Sequence, residues 1–239
     1  MEKFKLVKVD DFNFLSFDDD KVGIYFSTAD ENLDFNKNTE EGLLNLQNLK
    51  EWFNVKEVGY LNQTHSDKIF DYDGINHDGD AIITNKKQVL IGVFTADCVP
   101  VIIYDRKKIV VAAVHSGWKG TINCIVAKTI DRLIKDYNSE IKDIKVYIGP
   151  HNMKCCYEVS EELIETFKNK DIYKDTYIND GRNLSLKQCI IKQLNDKGIC
   201  DDQINKLNMC TYCSKEYSFH SYRKSKEKSG RIFSFIFIK

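Results

Sequence analysis

Two residues of this chain, Cys98 and His115, are of types and at a spacing that can do chemistry together. Between them run two apolar stretches, Val99 to Tyr104 and Ile109 to Val114, parted by Asp105-Arg106-Lys107-Lys108. The pattern predicts an antiparallel hairpin with a four-residue loop. A turn centred between Arg106 and Lys107 sets Cys98 directly opposite His115, on one face of the sheet with Cα atoms about 5 Å apart. A thiolate and an imidazole so placed can ligate one metal ion or act as nucleophile and base. The pairing depends on register, because a slip of one residue sends the two side chains to opposite faces. Elsewhere, the polar break Asn62-Gln63-Thr64-His65-Ser66-Asp67 deposits a histidine, His65, at the end of a short strand over Val58 to Leu61.

The elements that must position these residues follow from periodicity. The hairpin strands are apolar on both faces, so they belong in the interior, covered on each side. Phe4 to Val9, Val22 to Ser27, Ala81 to Thr84, Val89 to Phe94, Ile144 to Ile148 and Arg231 to Lys239 also read as strands. Helical spacing is clear over Glu40 to Phe53 and in the stripe Ile122, Ile125, Val126, Thr129, Ile130, Leu133, Ile134 and Tyr137, which predicts one helix over 121–137. Glu158 to Phe167 and Leu184 to Leu194 are further helices. The junction Ser116-Gly117-Trp118-Lys119-Gly120-Thr121 joins a buried strand to a helix N-terminus, where unpaired N–H groups favour an anion. Strands and helices interleave irregularly, which predicts an α+β fold with mixed sheets, in one domain over 1–239.

Composition narrows the function. With 35 basic and 36 acidic residues the net charge is -1, which offers no global field to nucleic acid or to an anionic membrane. The N-terminal residues lack the apolar stretch of a secretory signal, and no run approaches the roughly 20 apolar residues of a membrane helix. A cytoplasmic protein is expected, in which eight cysteines are thiols, ligands or nucleophiles rather than disulfides.

Several blocks occur in an order that resembles the YfiH/YlmD family. They are Asn62-Gln63-Thr64-His65, Asp78-Gly79-Asp80-Ala81, Thr95-Ala96-Asp97-Cys98-Val99-Pro100-Val101, Ala113 to Gly120, Ile148-Gly149-Pro150, Cys155-Cys156-Tyr157-Glu158-Val159, and Cys210-Thr211-Tyr212 through Ser221-Tyr222-Arg223. That family was formerly labelled polyphenol oxidase or laccase domain and is now described as purine nucleoside phosphorylase with adenosine deaminase activity. The resemblance spans roughly residues 20 to 238. It implies a central mixed β-sandwich flanked by helices, and a zinc ion held by His65, Cys98 and His115 beside a pocket for a purine nucleoside. Two nitrogens and one thiolate leave a tetrahedral position open, the arrangement of a catalytic zinc. The chain departs from the family where Phe26-Ser27-Thr28 is followed by Ala29 instead of Arg, and where Gly117-Trp118 is followed by Lys119 instead of Arg. The second change keeps the charge but loses the bidentate fork.

Around this centre, Asp80 and Asp97 are candidate catalytic carboxylates, and Asp97, next to Cys98, can orient an imidazole or act as a base. Lys119 and Arg223 are candidate phosphate cations, and Trp118 and Tyr157 can stack on a purine. His77, His151 and His220 read as loop or packing residues. Of the neighbours Cys155 and Cys156 at most one is expected to face a given site, and Cys210-Thr-Tyr-Cys213 is a C-x-x-C without a second pair. The activity that the resemblance implies is phosphorolysis of adenosine, inosine, guanosine or methylthioadenosine, with adenosine deamination. A metal-free Cys98–His115 hydrolase or deamidase is the alternative. A laccase-type copper oxidase is disfavoured, because five histidines with no His-x-His pair are too few imidazoles for several coppers.

Overall fold

The computed structural model describes residues 3–17 and 19–239. In chain order the strands are β1 (Phe4–Val9), β2 (Phe12–Phe17), β3 (Val22–Ser27), β4 (Glu57–Gly59), β5 (Ile69–Asp71), β6 (Ala81–Thr84), β7 (Val89–Thr95), β8 (Val99–Asp105), β9 (Val110–Ser116), β10 (Ile144–Ile148), β11 (Asn179–Asp180), β12 (Asn183–Leu184), β13 (Ile204–Lys206) and β14 (Ile232–Ile238). The α-helices are α1 (Glu40–Trp52), α2 (Trp118–Ile122), α3 (Ile125–Tyr137), α4 (Glu161–Lys168), α5 (Leu186–Asp196) and α6 (Tyr222–Ser225). One sheet has the order β1-β2-β3-β14-β7-β4, and a second the order β13-β10-β8-β9-β6-β5. Both are mixed, since β4 runs parallel to β7, and β5 parallel to β6, among otherwise mostly antiparallel neighbours.

The two sheets pack face to face over Ile24, Phe26, Ile91 and Ile236 of one and Ile102, Tyr104, Val111 and Tyr147 of the other. The outer face of the first sheet, with Phe14, Phe233 and Phe235, is covered by α1 through Leu46 and Leu49. The outer face of the second, with Val101, Ile103 and Val114, is covered by α3 and α5 through Val126, Ile130 and Ile190. This is a sandwich with helices on both sides, and it explains why β7, β8, β9 and β14 are buried at every position. No helix among the described residues is long and apolar enough to cross a membrane.

The central hairpin forms, but two residues out of the expected register. Asp105 pairs with Val110 and Pro100 with His115, so Cys98 lies just beyond the ladder rather than opposite His115. The cause is Asp105. Its Oδ1 accepts from the N–H groups of Lys107 and Lys108 at 2.8 and 2.9 Å, and its carbonyl accepts from Ile109 at 2.9 Å. That turn draws Ile109 out of the strand into a left-handed conformation, φ 54°. An even shift preserves the alternation of faces, so Cys98 keeps the side of the sheet on which His115 stands.

Other boundaries also move. The helix expected over 121–137 is two helices, α2 and α3, broken at Cys124, whose φ is 60°. The helix expected from Glu158 starts at Glu161, because Ser160 accepts from Leu163 N–H and caps it. Likewise α5 starts after Ser185, which caps Gln188. Strands β2, β5, β11, β12 and β13 have no counterpart in the reading of periodicity.

Phe235 is fully buried and meets Phe14 edge-on at 6.0 Å and Phe53 at 4.9 Å between ring centroids. Phe235→Ala is expected to lower stability by about 3–5 kcal/mol, read by denaturant unfolding at unchanged m-value. A loss under about 1 kcal/mol would contradict this packing.

Candidate functional site

The site lies where the chain crosses between sheets. The segment Ala96–Asp97–Cys98 carries the chain from β7 in the first sheet to β8 in the second, and residues 60–68 carry it from β4 to β5. His115 is the penultimate residue of β9, and Asp80 immediately precedes β6, its neighbour in the sheet. Two crossings and a strand end thus place His65, Cys98 and His115 together, with their ligating atoms all within 4.8 Å of one another. Cys98 Sγ is 3.8 Å from His65 Nε2, and the two imidazoles stand edge to face at 82° with centroids 4.8 Å apart. His115 is buried, Cys98 half-buried and His65 exposed, so the group opens on one side. Two imidazoles and a thiolate converging there suit a single ion with a free coordination position.

Asp80 holds this arrangement. It is fully buried, and its carboxylate accepts from His115 Nδ1 at 2.7 Å, from the N–H groups of Thr64, His65 and Ser66 at 3.3, 3.1 and 2.6 Å, and from Ser66 Oγ at 2.6 Å. His65 adopts φ 56°, which turns the three consecutive N–H groups towards one anion. With Nδ1 engaged by Asp80, His115 has Nε2 available to an ion. Asp80 thus holds the His65 loop and the His115 ring, with both of its oxygens engaged by them.

Burial pushes the Cys98 thiol upwards, but the charge of His115 and hydrogen bonds from His115 and His65 outweigh it and bring it down to about 6. Burial correspondingly opposes protonation of His115, yet Cys98 and Asp80 raise it to about 9. Asp80 is lowered to about 2, the His115 and Ser66 hydrogen bonds overcoming its burial. In the metal-free site Cys98 and His115 thus each favour the other's charged form. The site is ready either to exchange a proton for a cation or to act as a nucleophile pair.

Asp97 does not orient an imidazole. Its two oxygens accept from Thr211 Oγ1 and from the Arg223 N–H, each at 2.7 Å, and its carbonyl accepts from Asn152 N–H at 2.9 Å. At φ 100° it is a strained corner that ties the β7–β8 crossing to the 210–223 segment. The imidazole-orienting part expected of Asp97 belongs to Asp80, which lies beside His115 just before β6 and accepts from its Nδ1.

His65, Cys98 and His115 line one part of a cavity of about 730 Å³, within the range of small-molecule sites. Tyr157 and Arg223 stand on its wall, the guanidinium 5.0 Å from the ring centroid. Arg223 also donates to Glu158 O. Lys119 and Trp118 are not among the lining residues. They form the exposed first turn of α2, and Lys119 Nζ lies 5.5 Å from the Trp118 ring. The helix they begin has only five residues. The structure thus does not bring these two candidates for phosphate and purine to the cavity wall, and Gly117, whose added Cβ would lie 3.0 Å from Cys98 Sγ, is the residue of that turn that faces the site.

Among the lining residues that the sequence did not single out are Lys37, Gln63, Lys226 and Arg231. Gln63 had a local signal in its motif, and it clamps Phe94 by accepting from N–H and donating to O, each at 2.7 Å. Lys37, in an Asn-rich loop, and the two C-terminal cations had none. The remaining histidines lie elsewhere: His77 pairs with Asp73, His151 is buried against Gly149 O and lowered to about 4 by that burial, and His220 bonds Leu33 O.

Over residues 24–239 the sequence matches the family described as multi-copper polyphenol oxidoreductase laccase. A protein of Clostridium acetobutylicum named purine nucleoside phosphorylase is 54% identical over 231 residues, 96% of this chain and 97% of that protein. A purine nucleoside phosphorylase of Borreliella burgdorferi is 33% identical over 186 residues, 73% of this chain and 77% of that one. The crystal structure of the hypothetical protein YfiH of Bacillus licheniformis superposes with a TM-score of 0.85 at 26% identity, covering 99% of each chain.

Removing Asp80 leaves His115 and the 64–66 N–H groups without their buried partner. Asp80→Ala is expected to cost about 3–5 kcal/mol of stability in the metal-free protein. Unfolding measurements that place the variant within about 0.5 kcal/mol of the wild type would refute the role given to Asp80.

Proposed function

The chain belongs to the YfiH-like family described as multi-copper polyphenol oxidoreductase laccase, and from that premise we propose that it is a zinc-dependent purine nucleoside phosphorylase that also deaminates adenosine. The observation that carries the reading is the convergence of His65, Cys98 and His115 on the wall of a nucleoside-sized cavity that also bears an aromatic ring and cations. The names of the relatives support the phosphorylase part. Residues 1–239 are taken to work as one catalytic domain. Eight free thiols favour a reducing, cytoplasmic setting.

In phosphorolysis, phosphate attacks the anomeric carbon, the glycosidic bond breaks, and the purine leaves with its bonding electrons. In deamination, water adds at purine C6 and ammonia departs. A zinc ion on the three ligands supplies Lewis-acid polarisation of an oxygen at that face of the substrate. The chain does the rest. Tyr157, with Arg223 beside it, offers a flat surface to the purine. Arg223, Lys226 and Lys37 supply positive charge for phosphate, and burial lowers the Lys37 ammonium from its usual range. Asp80 keeps the His115 ring in the tautomer that presents Nε2.

The ligand set favours zinc over a laccase-type copper centre. Three of the five histidines lie outside the site, and no second group of metal-binding side chains among the described residues contains an imidazole. The metal-free hydrolase reading rests on the Cys98–His115 pair, and His65 separates the two, because a dyad does not require it.

The purified protein is expected to release purine from inosine and adenosine only with phosphate, and ammonia from adenosine without it, as resolved by chromatography. His65→Ala and Cys98→Ser should each lower both rates by at least about 100-fold. Arg223→Ala should raise the phosphate KM by about 10-fold, and Lys119→Ala should change it by less than about twofold. Full activity of His65→Ala without metal would establish the dyad. Copper-dependent phenol oxidation at these ligands would establish the oxidase.

A further inference from the structure

A second cluster lies beside Tyr157, whose two preceding residues belong to it. Cys155, Cys156, Cys210 and Cys213 bring their four sulfurs within 4.8 Å of one another, with Cys155 Sγ 3.6 Å from Cys213 Sγ. All four are free thiols. The two pairs come from segments more than fifty residues apart in sequence, joined locally by a bridge between His151 and Cys210 and by the bond from Thr211 N–H to His151 O at 3.0 Å. Alternation along a strand keeps adjacent side chains apart, but residues 154–156 form a turn. Its bonds from the N–H groups of Cys156 and Tyr157 to Met153 O, each at 2.9 Å, let both sulfurs face the same way. The expectation that at most one of Cys155 and Cys156 faces a site is thereby corrected, and the C-x-x-C finds its second pair in the C-C dipeptide.

We propose that these four cysteines form a closed tetrathiolate site for one soft divalent cation of the zinc type, distinct from the His65–Cys98–His115 centre. With Zn–S bonds of about 2.3 Å, the sulfurs of a tetrahedral site lie about 3.8 Å apart, close to the separation of Cys155 and Cys213. Four sulfur ligands leave no open position, so the ion is structural. The Lys187 ammonium interacts with Cys155 and offsets part of the negative charge that four thiolates bring to one ion. The cation ties the segment that carries Tyr157 to the one that carries Thr211, and Thr211 bonds Asp97 next to Cys98. It therefore braces the cavity wall without touching what the cavity binds.

The test is zinc content per chain, measured after purification with zinc as the only added metal and desalting. Two equivalents are expected in the wild type and one in Cys213→Ser or Cys155→Ser. One equivalent is also expected in His115→Ala, retained in a form that the further change Cys213→Ser removes. A wild type whose zinc content is unchanged by Cys213→Ser overturns the proposal. If the wild type holds one equivalent and Cys213→Ser abolishes it, this site stands and the three-ligand site falls. Should the serine variants fail to fold, alkylation of the wild type decides, mapped by mass spectrometry. Cys155 and Cys213, both exposed, should be protected until a chelator is added. Equal labelling with and without chelator, or recovery of these residues as a disulfide under reducing purification, overturns it.

Discussion

The structure of the site depends on one buried carboxylate. Asp80 has no exposure to water, and an ionised carboxylate in such a place survives only with a full set of donors. It finds them in the His115 ring and in three successive N–H groups and a hydroxyl of the His65 loop. The same interaction therefore satisfies the carboxylate, fixes the ring tautomer and bends the loop into a left-handed corner that delivers His65. The three candidate ligands are consequently one electrostatic unit, and none is placed by its own strand alone.

The sandwich supplies the rest of the constraint. A chain that alternates between two sheets must cross at their ends, and the crossings after β4 and β7 bring His65 and Cys98 to the end of β9 where His115 stands. Because β7, β8 and β9 are buried on both faces, these strand ends sit on a stiff platform, and a ligand set built there keeps its geometry. Asp97 makes the second brace, tying the β7–β8 crossing to the segment of Arg223. In the proposed reading, the metal ligands and the phosphate cation are thus held to each other through one residue.

Much of this was legible in the sequence, and the failures have physical causes. The strands over Val22–Ser27, Ala81–Thr84 and Ile144–Ile148 follow from apolar runs alone. The hairpin register did not, because a carboxylate that caps its own turn overrides the β preference of Ile109. Cys98 and His115 still fell together, since the shift was even. His65 came from resemblance rather than from pattern, and the part of Asp80 was hidden because a buried acid just before a strand looks like a turn residue. Lys119 stands with Trp118 on the exposed first turn of a five-residue helix whose later residues are buried, and charge at a helix start does not show in sequence which way that turn faces. The four-cysteine cluster needed the tertiary fold, because its halves lie far apart in sequence and one half is an adjacent pair.

The central claim is that Asp80 and Cys98 together hold His115 as an imidazolium until a metal ion takes the proton's place. Calorimetric titration of the metal-free Cys213→Ser protein with zinc at pH 7.5, in buffers of different ionisation enthalpy, measures that directly. His115 raised to about 9 and Cys98 lowered to about 6 mean that the thiolate is already formed while the ring must deprotonate to bind. About one proton should leave the protein through His115 per zinc bound, and apparent affinity should rise with pH until about 9. Zinc binding with no proton release, and with affinity flat across that range, would contradict the account.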